Sequence, residues 1–170
     1  MPLLLRTVRQ NRWYKDGAAA FLESDDVPAD PLGDLATASN ELSVWEVAAD
    51  RSNLERIVRA VVLTKDKVAV QGYVLFDSAL LAEAGFTPVK AKLGKTPDEA
   101  ANVWHRDLTD LSGKRLVALA RLILLHGESG AVLKKRLLQL IESGIAANEV
   151  PEKCRKLVSE PDKLSPPTGP

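Results

Sequence analysis

Three segments in the N-terminal half of the chain show the alternation or short runs of apolar residues that predict β-strands. They are PLLLRTV at residues 2–8, LSVWEV at 42–47 and KVAVQGYVLF at 67–76. Each contains β-branched or aromatic residues that favour extended backbone. The third is apolar on both faces, which is typical of a strand covered on each side. We therefore expect one buried cluster containing Trp45, Ile57, Val61, Val70, Val74 and Phe76.

Helical periodicity lies between the second and third of these strands. Apolar residues recur at three- and four-residue spacing, at Leu54, Ile57, Val58, Val61 and Val62. Ser52, followed by Glu55, has the spacing of a capping box. Arg56 and Arg59 are predicted to face away from the apolar stripe. Strand, helix and strand over 42–76 predict a right-handed parallel crossover, with the first strand extending the same sheet.

The second half of the chain is patterned for helices. Thr96, Pro97 and Glu99 form a helix-start signal, which predicts a helix through residue 108. Two further helices are predicted at 113–127 and 130–144, divided by GESG. A shorter helix is predicted at 151–158.

These elements indicate an α+β fold that changes character near residues 88–96. We expect a subdomain with about three strands and one or two packed helices at 1–88, and a subdomain of three or four helices at 89–158. Residues 23–41, which include two prolines, are expected to form a surface loop. The proline-rich residues 159–170 are expected to be a disordered tail.

The charges are balanced overall but unevenly placed. Residues 16–50 carry nine acids and no lysine or arginine, whereas residues 87–136 carry ten basic residues and five acids. We expect the acidic segment to face the basic half of the chain or a basic partner. The candidate partner-binding residues are Asp25, Asp26, Asp30, Lys134, Lys135 and Arg136.

The composition excludes several classes of site and protein. One cysteine, Cys154, allows no internal disulfide, and two histidines give no zinc-ligand spacing. There is no phosphate-binding glycine loop and no nucleophile elbow. We therefore expect no metal and no cofactor. No apolar run approaches the ~18 residues of a membrane span, and the cysteine usage suits the cytoplasm.

Functional side-chain types are densest in NVWHRDL, at residues 102–108. Trp104, His105, Arg106 and Asp107 follow one another there. On the predicted helix, successive side chains point about 100° apart, so these four would not converge on one point. We expect Trp104 to anchor the helix in the core, with polar neighbours at its rim.

The stretch RLILLH, from Arg121 to His126, resembles the short Arg-x4-His motif of HEPN-type ribonucleases. That resemblance implies catalysis by pairs that meet at a helical dimer interface. The family is an all-helical bundle, whereas this chain has strand patterns, and Leu122 stands where the family often has a polar residue. The two side chains also lie about 140° apart on an ideal helix. We predict that Arg121 and His126 are not a catalytic pair.

We expect a non-catalytic protein-binding or adaptor protein that docks another protein through charged and helical surfaces. The alternative is a small nucleic-acid-binding protein or ribonuclease that uses the C-terminal helices. Lys134, Lys135 and Arg136 begin a helix after a glycine-containing connector, which loosely resembles a helix-turn-helix. For that alternative, three charges would give a modest, salt-sensitive contribution to nucleic-acid binding.

Overall fold

The computed structural model describes residues 2–9, 13, 26–35, 39–89 and 94–159. Its strands are β1 Leu3–Val8, β2 Leu42–Val47, β3 Gln71–Asp77, β4 Pro88–Val89, β5 His105–Leu108 and β6 Glu128–Val132. Its α-helices are α1 Ala29–Leu35, α2 Leu54–Val62, α3 Ser78–Glu83, α4 Gly113–His126, α5 Lys134–Ala146 and α6 Lys156–Ser159. Two 3₁₀ turns cover Ala101–Trp104 and Glu152–Arg155. The mixed α+β class predicted from the sequence is confirmed.

The strands form one sheet in the order β4-β5-β2-β1-β3-β6, and every neighbouring pair is antiparallel. Since β1 is antiparallel to both β2 and β3, these two strands run parallel to each other, and α2 connects them along the chain. The predicted strand–helix–strand unit therefore has the expected strand direction. However, β1 lies between its two strands rather than beyond them. Leu4 and Leu5 are buried on opposite faces of β1, as a central strand requires.

Apolar side chains on the two faces of the sheet build two core clusters. Trp45 and Ile57 belong to the cluster formed with α2 and α5, on what we call the α2 face. Val74 and Phe76 belong to the cluster formed with α4, on the opposite α4 face. The prediction of a single cluster was wrong, because strands covered on both sides divide their side chains between two cores. Val70 is 57% exposed, since β3 begins only at Gln71.

The start of α2 differs from the predicted capping box. The N-cap residue is Asn53, and it makes no side-chain cap hydrogen bond. The Ser52 hydroxyl donates to Asp50 Oδ1 instead. The Glu55 carboxylate accepts hydrogen bonds from Arg136 on α5. A local contact with Asp50 has thus taken Ser52, and a tertiary contact with Arg136 has taken Glu55, the two side chains that the local pattern assigned to the cap.

The largest corrections fall in residues 96–132. The helix predicted from Thr96 is absent, and its second half is the 3₁₀ turn followed by β5. The predicted helix connector GESG is the C-cap residue Gly127 of α4 followed by the first three residues of β6, which leads from α4 on one face of the sheet to α5 on the other. Only the last turn of the helix predicted at 151–158 is α-helical, as α6. Because β5 and β6 join the sheet, the C-terminal half is helical only in part.

The predicted loop at 23–41 contains α1. Pro31 lies in the first turn of α1, where a missing backbone N–H breaks no helical hydrogen bond.

Residues 160–170 of the predicted tail lie outside the described residues. The division into subdomains near residue 88 stays a prediction. None of the described helices is long and apolar enough to cross a bilayer.

Candidate functional site

A cavity of about 350 Å³ lies on the α2 face, beside the C-terminal end of α2. The helix ends at Val62, so it leaves part of β1, β2 and β5 without a helical cover. The polar lining of the cavity includes Thr7, Ser43, Thr64, Lys95, His105 and Asp107. Trp45 and Val61 contribute apolar surface. We call this cavity the His105 pocket.

His105 and Asp107 lie on the same face of β5, because side chains two residues apart in a strand point the same way. Their exposures are only 9% and 7%. His105 Nε2 lies 3.4 Å from Asp107 Oδ1, and the Ser43 hydroxyl, directly across the strand pair, donates to the same oxygen at 3.3 Å. A carboxylate can accept about four hydrogen bonds, so Asp107 has capacity for a ligand.

Trp45 fixes the position of the histidine ring from the neighbouring strand. It pairs with His105 across the β2–β5 ladder. The two rings meet edge to face, with centroids 5.1 Å apart and planes at 70°. Such contacts favour one ring orientation. The imidazole is therefore held on one side by an aromatic ring and on another by a carboxylate.

Gly94, Lys95 and Thr96 form a further wall of the pocket, and Asn102 holds this segment in shape. The Asn102 amide donates to the Thr96 carbonyl at 3.0 Å, and its Oδ1 accepts from the Thr96 backbone N–H and hydroxyl at 3.1 and 2.8 Å. A Cβ added at Gly94 would come within 2.7 Å of Asn102 Oδ1 and 3.0 Å of Trp45. The wall is tightly packed against the floor of the pocket.

Asp98 anchors this wall to α2. Its side chain is fully buried and accepts hydrogen bonds from Arg56 at 2.9 and 3.0 Å, and from Arg59. Both arginines also bind Glu149, beyond the end of α5. Arg59 is only 4% exposed, so the prediction that Arg56 and Arg59 face away was wrong. The apolar stripe could not reveal that a buried carboxylate from a distant loop would recruit them.

The pKa of Asp98 reflects this competition. Burial acts to raise the pKa of Asp98, but the hydrogen bonds and positive charges of Arg56 and Arg59 outweigh it. The pKa therefore lies below its ordinary value. The carboxylate stays ionised at neutral pH, which keeps the wall attached to α2.

The residues of the ribonuclease-like motif lie away from this pocket. Arg121 and His126 belong to α4, which packs on the opposite face of the sheet. Arg121 is half-buried and His126 is exposed at the helix end. The expectation that they are not a catalytic pair stays a prediction.

The candidate partner-binding residues are spread over two regions. Lys134, Lys135 and Arg136 form the first turn of α5, and Arg136 is paired with Glu55 at 2.6 Å. Asp30 lies in the first turn of α1, and Asp26 Oδ1 accepts from the backbone N–H of Val27. Asp25 lies outside the described residues.

Two acids of the acidic segment have basic partners within the chain. Glu46 binds Arg106 of the C-terminal half, at 2.5 Å between the charged atoms. Asp34 binds Arg9 at 2.9 Å and accepts a hydrogen bond from Trp13 Nε1. The predicted charge matching therefore occurs at Glu46. Within the basic group at 134–136, Arg136 is paired with Glu55, a residue outside the acidic segment.

The His105 pocket was missed because residues 102–108 were interpreted as a helix. On a helix His105 and Asp107 diverge, whereas on a strand they converge. No period-two alternation marked the strand, because His105, Arg106 and Asp107 are three successive polar residues between Trp104 and Leu108. The preceding Thr-Pro-x-Glu signal favoured a helix.

No group of three or more His, Cys, Asp or Glu side chains within the described ranges is arranged to hold a metal ion. The pocket therefore offers hydrogen bonds, one carboxylate, one imidazole and the nearby Lys95. Comparisons of the chain with protein-family models, curated proteins and solved structures found no match in any of the three.

Proposed function

We propose that this chain is a small-molecule-binding protein whose site is the His105 pocket. One observation carries the proposal: an almost fully buried carboxylate, contacted by a histidine and a serine, lines a cavity of about 350 Å³. Ligand sites are concave and mostly apolar, with a few convergent polar groups. The pocket combines apolar surface from Trp45 and Val61 with convergent polar side chains that outnumber these two residues.

The energetics support a binding role over a purely structural one. Burying a carboxylate is costly unless its hydrogen bonds are satisfied, and apolar residues of similar size are often as stable or more so. Within the part of the chain that the structure describes, the His105 and Ser43 contacts to Asp107 are long and use the same oxygen. A ligand that donates a hydrogen bond to Asp107 would add to the hydrogen bonds that the buried carboxylate accepts.

The lining defines the ligand class. Asp107 selects a hydroxyl or amino donor, and the hydroxyls of Thr7 and Thr64 can accept or donate. Trp45 and Val61 favour an apolar or ring portion. The best fit is a small molecule that is uncharged or zwitterionic, has an apolar side and carries at least one hydroxyl or amino group.

The test is ligand-observed saturation-transfer NMR with a panel of nucleosides, amino acids and monosaccharides. We expect wild-type protein to bind at least one class, and Asp107→Asn to weaken that ligand by about tenfold, the loss of about 1.4 kcal/mol from one hydrogen bond to a charged group. Asn keeps an acceptor for Ser43, so the fold should survive. Lys135→Ala, on α5, is the matched control and should bind normally. No bound member of the panel, or equal binding by Asp107→Asn, would contradict the proposal.

A second candidate function is the protein docking expected from the charge pattern, and the edge strand β6 favours it. β6 ends the sheet, and no described strand pairs with its outer edge. Ser129 and Ala131 are small and exposed, and Leu125 and Leu133, near its two ends, are 50% and 64% exposed. Edge strands usually carry charges, proline or bulges that block pairing.

The occupant that fits this edge is an extended acidic segment of another protein. It would add a strand to β6, place apolar side chains near Leu133, and direct acids to Lys134 and Lys135 at the start of α5. Such a mode uses main-chain hydrogen bonds for affinity and side chains for specificity. It also gives the predicted partner-binding lysines a defined role.

To test this candidate, fluorescence anisotropy measures the binding of a labelled peptide of alternating valine and glutamate to the protein. Ala131→Lys and Leu133→Glu should abolish binding, whereas Val103→Ser, at an exposed apolar residue outside β6, should not. Binding of a mixed-sequence RNA in place of the peptide, with steep salt dependence, would favour the nucleic-acid alternative instead. Equal peptide binding by all variants would contradict docking at β6.

A further inference from the structure

A second cavity, of about 480 Å³, lies near the C-terminal end of α2 and gathers three lysines. Lys65 follows α2, and Lys153 and Lys156 come from the C-terminal 3₁₀ turn and α6. Asp66 is the acidic residue in its lining. We call it the lysine cavity.

The three ammonium groups are poorly neutralised. Lys65 donates to the neutral Gln71 side chain, and partial burial of the ammonium lowers the pKa of Lys65. Among the described residues, neither Lys153 nor Lys156 has an ion-pair partner. Like charges gathered around one concave surface repel each other, and this repulsion destabilises the protein unless an anion is bound.

The backbone that carries these lysines is fixed by packing rather than free. Cys154 directly follows Lys153, and Leu157 directly follows Lys156. Both apolar side chains are buried in the α2-face core, at 4% and 8% exposure. The Cys154 backbone N–H also donates to the Pro151 carbonyl at 2.9 Å. The lysine stems therefore emerge from an ordered base, which lowers the entropic cost of holding a ligand.

We propose that the lysine cavity binds a small phosphate-bearing anion. Lysine acts on phosphate as a point charge and does not need the fixed planar geometry of arginine, so three lysines from two segments can surround one group. The site is separate from the His105 pocket, although Thr64 lines both cavities. Failure of either proposal would leave the other standing.

Cys154 provides a built-in reporter for this site. It is the single cysteine of the chain, and it lines the lysine cavity. Cys154 is only 4% exposed, so Ellman's reagent reaches the thiol when the segment that carries it opens locally. An anion bound among the lysines should stabilise the closed form and slow the reaction.

The experiment measures pyrophosphate binding to the full chain by titration calorimetry and by the rate at which Cys154 reacts with Ellman's reagent. At constant ionic strength, pyrophosphate should slow the reaction about tenfold at saturation, equivalent to about 1.4 kcal/mol of protection. The double variant Lys153→Ala, Lys156→Ala should lose both the calorimetric signal and the protection. Lys114→Ala, at an exposed lysine of α4 on the opposite face of the sheet, should keep both.

The outcomes separate the sources of phosphate. Phosphatidylcholine vesicles that contain phosphatidic acid should compete with pyrophosphate if the phosphate is carried by a lipid, and should have no effect if it is free in solution. Absence of pyrophosphate binding to the wild type, or equal binding by the double variant, would overturn the proposal. Binding of RNA without binding of pyrophosphate would overturn it as well.

Discussion

At the scale of single residues, Asp98 makes structural contacts that no sequence motif predicted. It joins the pocket wall to α2 through Arg56 and Arg59, and its backbone carbonyl accepts a hydrogen bond from the Thr96 hydroxyl. Arg59 is buried with it, so each of the two charges is compensated by the other. Removing one partner of such a pair leaves the other buried and uncompensated.

We expect Asp98→Ala to lower the free energy of unfolding by roughly 3–5 kcal/mol, because it leaves the buried Arg59 charge with less compensation. Urea denaturation measures this change. The control is Glu152→Gln, which removes one member of the exposed Arg155–Glu152 pair and should have little effect. Similar losses for the two variants would contradict a special role for Asp98.

Stability should fall in acid because of the same carboxylate. Since the folded-state pKa of Asp98 lies below its unfolded value, its stabilisation is fully present above about pH 4, the ordinary pKa of aspartate. It is lost as the pH falls through the lower folded-state pKa. Asp34 acts in the same direction: burial acts to raise its pKa, but hydrogen bonds from Arg9 and Trp13 lower it overall.

The pH dependence can be measured by thermal unfolding between neutral pH and the range below pH 4. Wild-type protein should lose stability steeply below about pH 4. Asp98→Asn should be less stable at neutral pH and should show a shallower acid loss. Parallel curves for the two proteins would show that Asp98 does not contribute to the acid transition.

At the scale of elements, the positions of the strands along the chain could be predicted better than the order in which the strands pair. The predicted 42–47 strand coincides with β2, because a short alternating segment that contains Val and Trp favours extended backbone. The region 96–108 could not be predicted from local signals. Its conformation depends on Asp98, whose partners Arg56 and Arg59 lie on α2, and on Asn102, which binds Thr96 within the same segment. The strand position of His105 and Asp107 also requires the pairing of β5 with β2.

Phe76 tests the core on the α4 face. It is 1% exposed in β3 and packs in the cluster formed with α4. Phe76→Ala should lower the free energy of unfolding by roughly 3–5 kcal/mol through lost burial and the cavity left behind. Chemical denaturation gives the value. A loss below about 1 kcal/mol would mean that β3 is not buried on this face.

The pocket wall should be sensitive to a single methyl group. A Cβ at Gly94 would crowd Asn102 Oδ1 and the Trp45 ring, and it would lie 3.1 Å from His105 Cβ. We expect Gly94→Ala to lower ligand affinity at the His105 pocket by about tenfold and also to lower the free energy of unfolding, because the crowded Asn102 side chain holds the wall through buried hydrogen bonds. Gly33→Ala, which meets no atom within 4 Å, is the control. Unchanged affinity in Gly94→Ala would place the ligand elsewhere.

At the scale of the whole molecule, the sheet brings together residues that are far apart in the chain. Thr7 of β1, Ser43 of β2 and Asp107 of β5 line one cavity because β1 inserts between β2 and β3 and β5 pairs with the outer side of β2. A local pattern carries no information about such pairing. The α+β class could therefore be predicted from the sequence, whereas the site depends on strand order.

The most direct test of the proposed function follows the histidine ring resonances by NMR while the best-binding compound of the panel is titrated. The chain has two histidines, His105 in the pocket and His126 at the exposed end of α4, so His126 is an internal control. His126→Gln assigns the two signals. We expect the His105 signals to shift to saturation, those of His126 to stay in place, and Asp107→Asn to remove the shift. Binding that leaves the His105 signals unmoved, or that moves both histidines equally, would contradict the proposed function.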